Sequence, residues 1–198
     1  MFLTHLFLNF SVEMEEIVLA QKEKDYLLKI ARRSVEAGVK AEEPPKISNC
    51  SEALMNPSGV FVSIHTFKEL RGCIGWAESS KPLVETVIEV AAKAALEDPR
   101  FNPLTAEELE DIEIEISVLS PMKEIKDVNE IEVGEHGIMM EQGFNRGLLL
   151  PQVATEYSWN RETFLNQTAR KAGLPVNAWK KGDVKIFIFS AEVFEDQH

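Results

Sequence analysis

Glu69-Leu70-Arg71-Gly72-Cys73-Ile74-Gly75-Trp76 is the stretch on which the reading of the whole chain turns. It sets a cation two positions before a thiol, with Gly72 and Gly75 on either side of that thiol. Glycine weakens a plain strand, so two of them mark backbone that turns sharply or lets something approach closely. Just upstream, Val60, Val62 and Ile64 alternate with Phe61, Ser63 and His65, which predicts a strand from Val60 to Phe67. Lys68-Glu69 is a short polar break, and Leu70 to Trp76 returns as a second strand. The pair reads as a hairpin with Cys73 in its second arm.

Working outward, Met14 to Gly38 has the spacing of an amphipathic helix, with Gly38 as its C-cap. Glu42-Glu43-Pro44-Pro45 stops it, and Asn56-Pro57-Ser58-Gly59 is a strong turn signal. After the hairpin, Pro82 opens a helix with an apolar stripe at Leu83, Val84, Val87, Ile88, Ala91 and Ala95, ending near Glu97-Asp98-Pro99. Thr105-Ala106-Glu107-Glu108 has capping-box spacing. Ile112 to Val118 alternates most cleanly of all, aliphatic on one face and acidic or polar on the other, as in a half-buried strand with one wet face.

The second half repeats this outline. Ile125 to Val133 is a weak strand or turn. Gly137 to Glu141 and Gly147 to Leu150 read as hairpin arms joined through Gly143-Phe144-Asn145-Arg146. Pro151 starts a helical stretch, Arg161 to Lys171 gives a firmer helix, and Val184 to Phe194 reads as one last, central strand. Mixed helices and antiparallel strands make the class α+β, with an internal duplication suggested by element order.

The composition narrows the function classes. The chain has 198 residues, 33 acidic and 21 basic, for a net charge of −12. Such a surface repels nucleic acid and anionic membrane, so neither is expected as a partner. Two cysteines are too few for a disulfide framework and read as reduced thiols in a cytoplasmic protein. No apolar run is long enough to span a bilayer. There is no Gly-x-Gly-x-x-Gly, Walker loop or Cys-x-x-Cys, so no cofactor is expected.

Cys73 is the first candidate for chemistry. A thiol becomes nucleophilic when a nearby cation lowers its pKa, and Arg71, at i−2 on a strand, shares its face. The flanking glycines would leave room for a substrate or for turned backbone. The alternative is a small core cysteine, with Arg71 paired to Glu69 at the surface. His136, between Glu135 and Gly137, is the acid–base candidate, or else a turn histidine capping local backbone. Arg146 could bind an anionic group, and Gln152 follows a buried run where pockets often form. Cys73, His65 and His136 match no compact metal-ligand spacing, and Cys50 has no constellation around it.

Several of these blocks occur together in one known family. Leu70-Arg71-Gly72-Cys73-Ile74-Gly75 resembles the signature of the AMMECR family. Ala95-Leu96-Glu97-Asp98-Pro99-Arg100-Phe101, Ile114 to Pro121, His136-Gly137, Gly147 to Val153 and Lys171 to Pro175 follow in the family's order. The resemblance spans roughly Met14 to Phe194. It implies a two-lobed α+β domain with structural duplication, a mixed, barrel-like, largely antiparallel sheet and a cleft near Cys73. It also implies association with a Memo-like protein and a radical SAM protein, as for protein A of the AmmeMemoRadiSam system. The positions shared with the family are Arg71, Gly72, Cys73, Gly75, His136 and Gln152. Many relatives carry a Gly-Arg-Ser-Gly-like turn where this chain has Gly143 to Gly147, which sets Arg146 apart. Two functions are expected from this: an enzyme or enzyme component using Cys73 in a cleft, or a non-catalytic module binding a small ligand, peptide or protein.

The expected organisation is an N-terminal extension at 1–13, the domain at 14–194 and a tail at 195–198. Deleting residues 1–13 is expected to leave the melting temperature unchanged, which thermal unfolding of the two forms checks.

Overall fold

A computed structural model describes residues 18–196 of the chain. The extension read at 1–13 lies outside these residues, as do 14–17 and 197–198. The first helix, α1 (Gln21–Val39), buries Leu27, Leu28, Ile30, Ala31 and Val35 along one side. Gly38 is not its C-cap, which is Lys40. A Cβ at position 38 would stand 3.2 Å from the Leu96 side chain, so the glycine lets two helices approach.

The expected hairpin forms from β1 (Val60–Thr66) and β2 (Glu69–Trp76). Its two turn residues, Phe67 and Lys68, both have positive φ, as a tight hairpin turn requires. The register runs Ser63↔Cys73 and Ile64↔Gly72, then His65↔Leu70, so Arg71 is the extra residue of a bulge. After α2 (Leu83–Leu96), β3 (Ile112–Leu119) pairs with the other side of β1. Val60, Val62, Ile64, Ile112, Ile114, Ile116 and Val118 make one face of this sheet wholly apolar, and the apolar sides of α1 and α2 cover it. The opposite face carries Phe61, Ser63, His65, Cys73, Glu113, Glu115 and Ser117.

The second half builds a second sheet from β4 (Lys123–Ile125), β5 (Gly137–Gln142), β6 (Asn145–Leu149) and β7 (Lys185–Phe189). Two helices follow β6: the short α3 (Pro151–Glu156) and α4 (Arg161–Lys171). Phe164, Leu165 and Ala169 of α4 pack on Ile138, Met140, Ile186 and Ile188. Only Gly143 and Phe144 form the hairpin turn, so Arg146 lies within β6 rather than between strands. The expected last strand is two: β7 and β8 (Ala191–Glu195), broken at Ser190 and belonging to different sheets. The expected tail at 195–198 therefore begins inside β8, and Asp196 accepts from Ile114 N at 2.7 Å.

The strand orders are β2-β1-β3-β8 and β4-β7-β5-β6, and every pairing is antiparallel. The two four-stranded sheets are open, in place of the expected mixed, barrel-like one. Each contains a hairpin whose first strand also pairs with the strand arriving after the helices. The fourth strand of each sheet is exchanged: β3 runs on into β4 of the other sheet, and β7 runs on into β8. The two crossings meet. Ser120 N donates to Ser190 O at 3.0 Å, and Ser190 N donates to Ser120 Oγ at 2.9 Å. Leu119, Met139 and Phe189 form a small buried core beside them. Among the described residues, no helix is long and apolar enough to cross a membrane.

Ser120 is 4% exposed, so Ser120→Ala would leave the part-buried Ser190 N–H without its acceptor. Chemical denaturation is expected to show a loss of about 1–3 kcal/mol.

Candidate functional site

β2 is an edge strand, and an unguarded edge offers free N–H and C=O groups to any passing strand. Here the segment after α2 covers it. Cys73 N donates to Asp98 Oδ2 at 2.8 Å, and Arg100 Nη2 reaches Cys73 O at 3.5 Å. Arg100 also binds Asp98, with Nη2 to Oδ2 at 2.7 Å. Asp98 is buried, and the Arg100 guanidinium, helped by the Cys73 N–H, holds its carboxyl well below the usual carboxylate range.

Arg71, displaced by the bulge, grips the same segment further on. Its Nε donates to Glu108 Oε1 at 2.7 Å, its Nη2 to Glu108 Oε2 at 3.2 Å, and its Nη1 to Asn102 O at 2.8 Å. Its carboxylate partner is Glu108, not the Glu69 weighed from sequence. Glu108 in turn accepts from Thr105 N at 2.9 Å, across the expected capping-box spacing. The bidentate geometry favours Arg over Lys at this position.

The glycines are explained by close approach. A Cβ on Gly72 would stand 2.2 Å from Ala94 O of α2, and one on Gly75 would stand 2.4 Å from the Phe61 ring. The space each leaves is occupied by the protein itself.

The Cys73 side chain points to the polar face of the sheet. Ser63, opposite it on β1, donates its hydroxyl to Sγ at 3.2 Å. Burial pushes the thiol pKa up, while the Ser63 hydrogen bond and the Arg100 charge act the other way. Glu115 pairs with Ser63 from β3 and with Glu195 from β8. Burial also raises the Glu115 carboxyl; His65 opposes that shift, and the charges of Glu195 and Glu156 add to it. At the next step along β3, Ser117 is buried, because α3 lies over it and Gln152 Nε2 donates to Ser117 Oγ at 3.3 Å. The face read as wet is thus partly roofed by the second lobe. Gln152 Oε1 is buried with no hydrogen-bond donor among the described residues.

The other candidates lie elsewhere. His136 sits in the turn before β5, where Nδ1 accepts from Glu132 N at 3.1 Å. No hydrogen bond or charge interaction joins it to Cys73. Arg146 links the lobes, with Nη2 donating to Glu78 Oε2 at 2.9 Å and Nε to Met139 Sδ at 3.1 Å. Cys50 packs against the first core. Among the described residues, no group of three His, Cys, Asp or Glu side chains is placed to hold a metal ion.

So the structure gathers Cys73 with Ser63, Glu115, Asp98 and Arg100, and it leaves Arg71, His136 and Arg146 committed to other partners. Ser63 was findable from the hairpin register, and Glu115 from the alternation of β3. Asp98 and Arg100 stood in the block Ala95 to Phe101 that resembles the family, but nothing in their spacing tied them to Cys73.

The depressed Asp98 pKa makes its bond with Arg100 and Cys73 N a source of stability above about pH 4, the ordinary carboxylate value. That contribution is lost as pH falls through the lower folded value. Asp98→Asn is expected to cost about 1–3 kcal/mol at neutral pH and to flatten the acid limb of stability against pH, read by denaturation at a series of pH values.

The sequence profile of the AMMECR1 family matches residues 28–194. A protein from Thermococcus gammatolerans is 41% identical over 187 residues, covering 88% of this chain and 90% of that protein. Protein MK0488 of Methanopyrus kandleri is 42% identical over 192 residues, covering 90% of this chain and 91% of its own length. The crystal structure of protein PH0010 from Pyrococcus horikoshii superposes with a TM-score of 0.87 at 36% identity, covering 91% of this chain and 94% of that one. Profile, sequence and three-dimensional likeness each extend across both lobes, and this chain belongs to the AMMECR1 family.

Proposed function

We propose that this protein is a non-catalytic binding module of the cytoplasm. The polar face of the first sheet, around Ser63, Cys73 and Glu115, takes up a small ligand or an extended peptide. The observation that carries this reading is the setting of the Cys73 thiol. It is half-buried, and burial raises its pKa despite the opposing hydrogen bond from the Ser63 hydroxyl. A thiol nucleophile needs a thiolate and a group to take the proton. Arg71 is held by Glu108, and the Nδ1 of His136 is held by a backbone N–H in the other lobe. Glu115, by contrast, is a half-buried carboxyl to which no hydrogen bond is made by the described residues, and such groups favour a ligand bearing donors. The Memo-like and radical SAM proteins implied by the family resemblance are then candidates to deliver or receive what binds.

The thiol-enzyme alternative is separated by alkylation. In a Cys50→Ser background, Cys73 is expected to react with iodoacetamide at pH 7 more slowly than glutathione, and to gain reactivity only as pH rises. Reaction faster than glutathione at pH 7 would restore Cys73 as a nucleophile and overturn the binding-only reading.

A further inference from the structure

The duplication places a cleft at related positions in the two halves. The first, about 520 Å³, lies between Asn56–Gly59 before β1, Ala77–Ser79 after β2, and the β3–β4 crossing at Leu119–Met122. The second, about 360 Å³, lies between Gly134 and Glu135 before β5, Pro151 and Gln152 after β6, and the β7–β8 crossing at Ser190–Val193. The registers align them. Val60 pairs with Trp76 and Val118, and Ile138 pairs with Leu149 and Ile188. Ser79 is the third residue after Trp76, and Gln152 the third after Leu149, so they occupy matching stations.

The two stations differ in one respect. Ser79 is satisfied within the protein: its Oγ lies 2.9 Å from Thr86 Oγ1 and accepts from Lys81 N at 3.1 Å. Gln152 spends its NH₂ on Ser117 and leaves Oε1 buried without a donor. A buried acceptor without a donor is rare in folded proteins and calls for a cause. Thr155, one helical turn on, has its hydroxyl proton committed to Gln152 O at 2.8 Å, so it presents only lone pairs to the cleft. Glu135 adds an exposed carboxylate. Glu192, the other acid of the lining, is paired with Lys24 at 2.6 Å and accepts from Leu19 N at 2.9 Å. Among the described residues no Lys or Arg lines this cleft, and Val18, Pro151, Ala191 and Val193 give it apolar walls.

Acceptors from Gln152, Thr155 and Glu135, with Lys24 already paired to Glu192, fit a group with three donors and a positive charge. We propose that this second cleft binds a primary ammonium carried on a short aliphatic chain. Gln152 gives up its bond to Ser117, turns its terminal amide from the wall into the cleft it lines and accepts from the ammonium. Thr155 Oγ1 and Glu135 take the other two N–H groups, and the chain lies on Pro151 and Val193. Because β8 belongs to the first sheet and α3 follows the second, such a ligand ties the lobes together. This site adjoins the Cys73 face through the Gln152–Ser117 bond, but its ligand chemistry does not depend on the reading of that thiol.

The test is a titration of the full-length ¹⁵N-labelled protein at pH 7 with n-butylammonium chloride, against sodium chloride, butyrate and butyramide. Saturable amide shifts confined to Gly134, Glu135, Gln152, Thr155 and Ala191, with butylammonium alone, are expected. Gln152→Met is expected to weaken binding about tenfold, the loss of one charge-assisted hydrogen bond. The exposed Glu135→Gln substitution should weaken it without touching the fold, and Ser79→Ala should leave it unchanged. The proposal is overturned by the absence of localised shifts, by butyrate or butyramide binding as well as the amine, by shifts centred on Ala77–Ser79, or by unaltered binding in both Gln152→Met and Glu135→Gln.

Discussion

The reciprocal hydrogen bonding of Ser120 and Ser190 is the constraint on which the arrangement of this protein depends. At those two residues the chain leaves one sheet for the other, once in each direction. Each crossing exposes backbone polar groups that no ladder can satisfy, and they satisfy each other, Ser120 N to Ser190 O and Ser190 N to Ser120 Oγ. With that point fixed, β4 must complete the second sheet and β8 the first. The lobes are thus joined by exchanged strands and not by one linker, and Leu119, Met139 and Phe189 bury the seam.

The Arg71-Gly72-Cys73 segment acts chiefly as a clasp. It lies on an edge strand, where pairing with a foreign strand is the standing hazard. Cys73 contributes its backbone N–H to Asp98, and Arg71 contributes its guanidinium to Glu108 and Asn102. Gly72 allows α2 to press against the strand. These roles account for the residue types in the motif without a reaction. What remains for a ligand is the side-chain face beyond them, where Ser63, the Cys73 thiol and Glu115 sit under the margin of α3.

Much of the fold was legible in the chain itself. Alternation in Val60–Thr66 and Ile112–Leu119 gives strands because the pleat sends successive side chains to opposite faces, and the apolar spacing of 83–96 gives a helix for the matching reason. The break at Ser190 was not legible. Val184 to Phe194 carries apolar side chains on both faces, with Lys185, Ser190 and Glu192 among them, so neither periodicity nor a glycine or proline marks where it changes sheet. The wet face of β3 was only half right for a similar cause: its alternation records which side chains share a face, not that Gln152 of α3 arrives over Ser117 from 35 positions later.

For the site, the sequence by itself determined the identity and facing of its members: a thiol, a serine and a glutamate on one side of three neighbouring strands, with isoleucines and valines on the other. That follows from a period of two, which is a local property of the backbone. Only the tertiary structure decided what each polar group does. Arg71 went to Glu108 and not to the thiol, His136 to its own turn, Asp98 to a strand edge, and Gln152 to a seam between lobes. Those choices depend on distances set by the bulge, by helix packing and by the strand exchange, and no spacing along the chain encodes them.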